Sequence, residues 1–173
     1  MADIKKELAE NRIILAVVSG EKYAEFIVQC MKKLSGSICY LTLNKTYDSM
    51  KELFEKKGVN LGDVIFIDAI SKTIKDVPDQ AKSVYYCSSP GALTEISIAV
   101  ERFIRHGFDY IVFDSLTNLL IYERKAPVAR FVSSLVNKIR ESGTKALFLA
   151  LKLNEQDAMI KETEMFVDKV INA

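Results

Sequence analysis

The sequence predicts an α/β domain of three α/β/α layers around a mostly parallel sheet. Three observations carry that expectation. Short apolar runs alternate with longer stretches whose apolar residues recur every three or four positions, the signature of buried strands alternating with amphipathic helices. Glycines stand just beyond several of the helical stretches, where a chain reversal asks for a residue able to take positive φ. The chain has 173 residues, 49% of them hydrophobic, which suits one core and one domain over residues 1–173.

The elements follow in order. Residues 1–11 read as a short lead helix with Ile4 and Leu8 on one side. The run 12–18 is a strand, and Tyr23, Phe26, Ile27, Cys30, Met31 and Leu34 then mark a helix that Gly36 stops. Residues 38–43 form the second strand. Tyr47, Met50, Leu53 and Phe54 share a face of the next helix, ended by Gly58. Residues 64–69 are the third strand. The polar stretch 70–82, with Pro78, is the longest expected loop, and 83–88 the fourth strand. Ser89 is suited to cap the following helix and Pro90 to its first turn, with Leu93, Ile96, Val100, Phe103 and Ile104 inward and Gly107 at its end. Residues 109–114 are the fifth strand. A helix over about 126–142 turns Val128, Phe131, Val132, Leu135 and Ile139 inward and stops at Gly143. Residues 145–151 make the sixth strand, about 154–164 a polar helix, and 166–172 a closing strand.

Composition excludes several function classes. A formal net charge of +1 gives no field that would draw nucleic acid or an acidic membrane, and basic pairs such as Lys5–Lys6 and Lys32–Lys33 read as solvated helix faces. No apolar run approaches membrane-spanning length, and the first residues lack a signal peptide's apolar segment, so the expected location is the cytoplasm. Cys30, Cys39 and Cys87 are widely spaced and lie in apolar stretches, where cysteine acts as a small buried hydrophobe. With His106 the only histidine, set beside Gly107 at a helix end, neither a zinc site nor a cysteine–histidine pair is expected.

In a parallel α/β sheet, ligands bind beyond the carboxyl ends of the strands. The first strand leads into Ser19-Gly20-Glu21-Lys22-Tyr23. A phosphate loop needs Gly, four residues, then Gly-Lys-Ser/Thr, so that backbone N–H groups wrap the phosphates and a hydroxyl reaches magnesium. Here one residue separates Gly20 from Lys22, and Tyr23 stands where the hydroxyl residue would follow. The stretch reads as a tight strand-to-helix turn with an exposed lysine, although Lys22 and the helix N-terminus still offer an anion a weak hold. Of the strand-end acids, Asp114 follows four apolar residues and precedes Ser115-Leu116-Thr117, as in a strand whose carboxylate holds a nucleotide's magnesium. The simpler reading is that Asp114 caps backbone amides of the next turn. Asp68 also ends a strand, and loop capping accounts for it. A phosphoacceptor role would need an acidic pair after the first strand, where Ser19-Gly20 stands. Ser88-Ser89 lack a nucleophile elbow.

These stretches together resemble the RecA-like ATPase core of KaiC-like proteins, common as stand-alone domains in archaea. ILAVVSG is similar to the strand before the phosphate loop, ICYLTLN to the second strand, and VIFIDAIS to the third. SPGALTEISIAVERFI resembles the helix before the Walker B strand, and YIVFDSLTNLLIY that strand with its Asp-Ser-Leu-Thr continuation. The closing helix and strands match as well, so the resemblance spans roughly residues 12–171. It implies a RecA-like fold and a nucleotide site built from Gly20, Lys22, Asp114 and Ser115. The chain departs from the family's pattern at the catalytic parts. The Walker A loop is cut to Gly20-Glu21-Lys22, and Asn44-Lys45 replace the glutamate pair that follows the second strand in active members. Phosphoryl transfer rests on positioning and charge neutralisation, so the expectation is a pseudo-ATPase with no catalytic residue, no cofactor and no metal. It would act through a protein partner or self-association, with the segment 122–125 and the loop around Pro78 as candidate surfaces. The alternative is a remnant site that binds ATP and magnesium, as a switch or a slow ATPase.

Overall fold

The computed structural model describes residues 3–152 and 157–173. Its elements are α1 (Ile4–Glu10), β1 (Ile13–Val18), α2 (Tyr23–Lys33), β2 (Ile38–Thr42), α3 (Tyr47–Lys56), β3 (Val64–Asp68), β4 (Gln80–Ala81), β5 (Val84–Tyr86), α4 (Leu93–Arg105), β6 (Tyr110–Asp114), α5 (Leu116–Tyr122), α6 (Lys125–Arg140), β7 (Lys145–Leu151), α7 (Asp157–Glu164) and β8 (Lys169–Asn172). The strands form one sheet in the order β4-β5-β3-β2-β6-β7-β1-β8, parallel except where β4 runs against β5.

β1 and β2 are buried at every residue because helices cover both faces of the sheet. Side chains alternate between the two faces. Ile13, Leu15 and Val17 join the core under α4, α5 and α6, whereas Ile14, Ala16 and Val18 join the core under α1, α2 and α3. The expected three-layer α/β/α architecture is therefore the observed one. The register brings Thr42 level with both Asp68 and Asp114 at the carboxyl edge. β7 lies between β6 and β1, so the turn after β1 and the end of β6 are separated by one strand.

The structure differs from the sequence reading in four places. Within the expected loop 70–82, Ser71–Thr73 form a 3₁₀ turn and Gln80–Ala81 make the antiparallel edge strand β4. Two exposed residues are too short a run to show a period. Ser89 does not cap α4, which begins at Leu93 after Ala92; Ser88 instead binds Glu95 through its backbone N–H (3.0 Å) and its hydroxyl. The stretch after Asp114, to which the sequence reading gave no element, forms α5, with Leu116, Thr117 and Leu119 buried. Short apolar runs do not distinguish helix from strand. The closing strand contracts to Lys169–Asn172, and residues 154–156 of the expected polar helix lie outside the described residues.

Gly58 and Gly107 have φ of 71° and 72°, as the helix ends required. Gly36 has φ 120°, and a Cβ there would lie 2.5 Å from Asp109 Oδ2.

Candidate functional site: a buried carboxylate at the sheet edge

The four sequence-designated residues divide into two pairs. Gly20 and Lys22 lie exposed in the turn between β1 and α2. Asp114 and Ser115 are 1% and 0% exposed. In the turn, the Lys22 N–H donates to Ser19 O at 3.1 Å and the Tyr23 N–H to Gly20 O at 3.4 Å, so these amides are used inside the turn. Lys22 takes the cap position of α2 without a side-chain cap bond, and it makes no ion pair among the described residues.

Tyr23 joins the two pairs. It opens α2, and its side chain turns inward to the core under that helix. Asp114 follows Val112 by two residues on β6, so it faces the same side. The Tyr23 hydroxyl donates to Asp114 Oδ1 at 2.6 Å. From the neighbouring strand β2, the Tyr40 hydroxyl donates to Asp114 Oδ2 at 2.5 Å. Asn44 adds a longer contact, Nδ2 to Oδ1 at 3.4 Å, and its own Oδ1 is buried with no hydrogen-bond partner among the described residues. Ser115 donates its hydroxyl to Asn118 Oδ1. The Asp114–Ser115 peptide is cis.

Asp114 therefore does not cap backbone amides of the next turn; side chains from α2, β2 and the β2–α3 loop hold it. Burial pushes its carboxyl above the usual range, while the two tyrosine hydroxyls, the Lys45 charge and Asn44 pull the other way. Burial and the adjacent Asp114 charge hold both tyrosine hydroxyls well above their ordinary range, so they remain donors.

Asp68, by contrast, does the capping expected of it. Its Oδ2 accepts from the Tyr47 N–H at the start of α3 (2.7 Å) and from the Ser71 hydroxyl (2.5 Å), and its Oδ1 accepts from the Ile70 and Ser71 N–H groups. His106 is exposed at the end of α4. The three cysteines are buried free thiols. Among the described residues, no group of three or more His, Cys, Asp or Glu is placed to hold a metal ion, and no helix is long and apolar enough to cross a membrane.

This arrangement of strands and edge residues has a counterpart among solved structures. A KaiC-like protein from the hyperthermophilic archaeon Pyrococcus horikoshii OT3 superposes with a TM-score of 0.68 at 12% identity, over 92% of this chain and 70% of that one. The fold is KaiC-like. At that identity the likeness shows the fold alone. No family model matches the sequence, and no curated protein matches it.

Sequence reasoning placed Asp114 at the edge of this KaiC-like sheet and missed Tyr40. It noted Asn44 only as standing where a glutamate would, and Tyr23 for its place in the turn and on the apolar face of α2. One signal was available for Tyr40. It carries a polar tip in the middle of an apolar strand, and a buried tyrosine hydroxyl seeks a partner.

Proposed function

We propose that this chain is a pseudo-ATPase of KaiC-like fold that acts by binding another protein rather than by turning over nucleotide. One observation carries the reading. The strand-end carboxylate that would hold a nucleotide's magnesium accepts tyrosine hydroxyls on both of its oxygens and is closed to solvent. A hydrated magnesium ion keeps several waters and needs an octahedral oxygen shell around it; hydroxyl donors aimed at Asp114 do not fit one. The short turn supports the same reading, since its Lys22 and Tyr23 amides are bonded within it instead of facing a phosphate. Asn44-Lys45 follow β2, so no carboxylate stands there to activate water. A regulatory or scaffolding role in the cytoplasm, in archaeal-type systems, agrees with the resemblance.

The test is calorimetric titration with ATP and magnesium, alongside thermal melting. No heat and no rise in melting temperature at about millimolar ATP is the expected result, since a ligand of native protein must stabilise it. Saturable, magnesium-dependent binding that disappears in Asp114→Ala and in Lys22→Glu overturns the reading and makes the chain a nucleotide-binding switch.

A further inference from the structure

α2 and α3 lie on one face of the sheet, and an open groove of about 380 Å3 runs between them. Val28 and Leu53 give it an apolar floor. Glu21 and Glu25 stand toward the start of α2, and Lys32 and Lys57 toward the helix ends. All four charged residues are exposed, and none has an ion-pair partner among the described residues. The groove is thus acidic at one end, basic at the other and apolar between.

The opposite face of the molecule carries a surface of matching pattern. α4 packs inward through Ile96, Val100 and Phe103; Ile98, Arg102 and Arg105 are exposed, Glu95 is half-buried beside them, and Arg105 is ion-paired with Glu101 of the same helix. Ile98 is 52% exposed in the middle of this 13-residue helix. Hollows flank it on both sides, so it stands as a ridge. Glu95 accepts from the Ser88 N–H at 3.0 Å and from the Ser88 hydroxyl.

The spacings agree. Glu25 and Lys32 are seven residues apart on α2, and so are Glu95 and Arg102 on α4, about 10 Å along either axis. Laid antiparallel into the groove, α4 would set Arg102 over Glu25, Glu95 over Lys32, and Ile98 midway, over Val28 and Leu53. Arg105, already paired with Glu101, would fall toward Glu21. Antiparallel placement also opposes the helix dipoles, and a ridge entering a groove is the ordinary mode of helix packing.

We propose that the chain self-associates by seating α4 of one copy in the α2–α3 groove of the next. The proposal names the partner for the binding role inferred above and rests on that reading. Because the two surfaces lie on opposite faces, the contact is heterologous. Each added copy leaves one groove and one α4 free, and the product is a linear array rather than a closed dimer. A single helix in a shallow groove makes a small interface, so the association constant is weak, with dissociation on the order of 0.1 mM.

Sedimentation velocity of the full chain, from about 10 µM to about 1 mM at low salt, reads the association directly. Growth of the weight-average mass with concentration, reversed by added salt, is expected. Glu25→Arg alone and Arg102→Glu alone should each weaken association roughly tenfold or more, because each sets like charges against each other. Mixing the two variants should restore it, since every groove then meets an α4 of opposite charge; a variant that had merely lost stability would not be rescued. A monomer throughout the range, association indifferent to either reversal, or failure of the mixture to recover overturns the proposal. The ATP titration stays separate: nucleotide binding with self-association intact defeats the pseudo-ATPase reading and leaves this one standing.

Discussion

The Tyr23 hydroxyl lies 2.6 Å from Asp114 Oδ1, which ties the first residue of α2 to the last residue of β6 across the intervening strand β7. With Tyr40 on the other oxygen, it closes the carboxylate within the protein. A buried acid bonded in this way is costly to disturb from either side. Tyr23→Phe and Tyr40→Phe should each lower unfolding stability by about 2 kcal/mol, the range for a hydrogen bond to a charged group. The double variant should lose other than the sum, because both bonds end on one carboxylate. Urea denaturation checks this; single-variant losses under about 0.5 kcal/mol would mean that the hydroxyls are not held by Asp114.

Asp114 should also leave a mark on the pH dependence of stability. Burial raises its folded-state value above the unfolded one. The folded state therefore binds its proton more readily, and the stabilisation is fully present below the unfolded value of about 3.9. It is lost as pH rises through the raised folded value. Asp168 has the opposite sign. Burial acts to raise it, but Arg140 and the Ile13 and Arg12 N–H groups outweigh that and lower it, so its contribution is present above the ordinary carboxyl value and is lost as pH falls. Denaturation across about pH 3–7 should show the wild type gaining on Asp114→Asn as pH falls, and losing ground against Asp168→Asn over the same window.

Two glycines separate backbone strain from steric conflict. At Gly107 an added Cβ would meet nothing within 4 Å, so Gly107→Ala should cost about 1 kcal/mol, from the positive φ alone. At Gly36 the Cβ would strike the Asp109 carboxylate, which accepts from the Ser37 N–H at 2.8 Å and the Ser37 hydroxyl at 2.9 Å. Gly36→Ala should therefore cost more, roughly 2–4 kcal/mol. Equal losses in thermal or urea melts would show that Asp109 yields freely.

The three cysteines should be inert in the native protein. Burial pushes the Cys30 and Cys87 thiols up to about 12 and the Cys39 thiol higher still. A chromogenic thiol reagent near neutral pH should find none of them until denaturant is added, and then all three. Rapid native labelling would require opening of the layers that cover them.

Much of this protein was legible from residue order. The periods of two and of three to four fixed the principal strands, most helices and the covering of both sheet faces, because burial acts on each element in the same repeating way. The capping role of Asp68 was local enough to read from its place at a strand end. What surrounds Asp114 was not local: Tyr23, Tyr40 and Asn44 are 91, 74 and 70 residues away in sequence, and nothing in the spacing announces them. The strand order, which sets β2 beside β6 and lets α2 reach over β7, brings those hydroxyls to the carboxylate. The turn into α5 and the edge strand β4 were likewise decided by packing, since runs of two to seven residues carry too little pattern to choose a conformation alone. Sequence determined that an acid would stand at the sheet edge; only the tertiary structure decided that two tyrosines would close it, because that depends on which strands become neighbours.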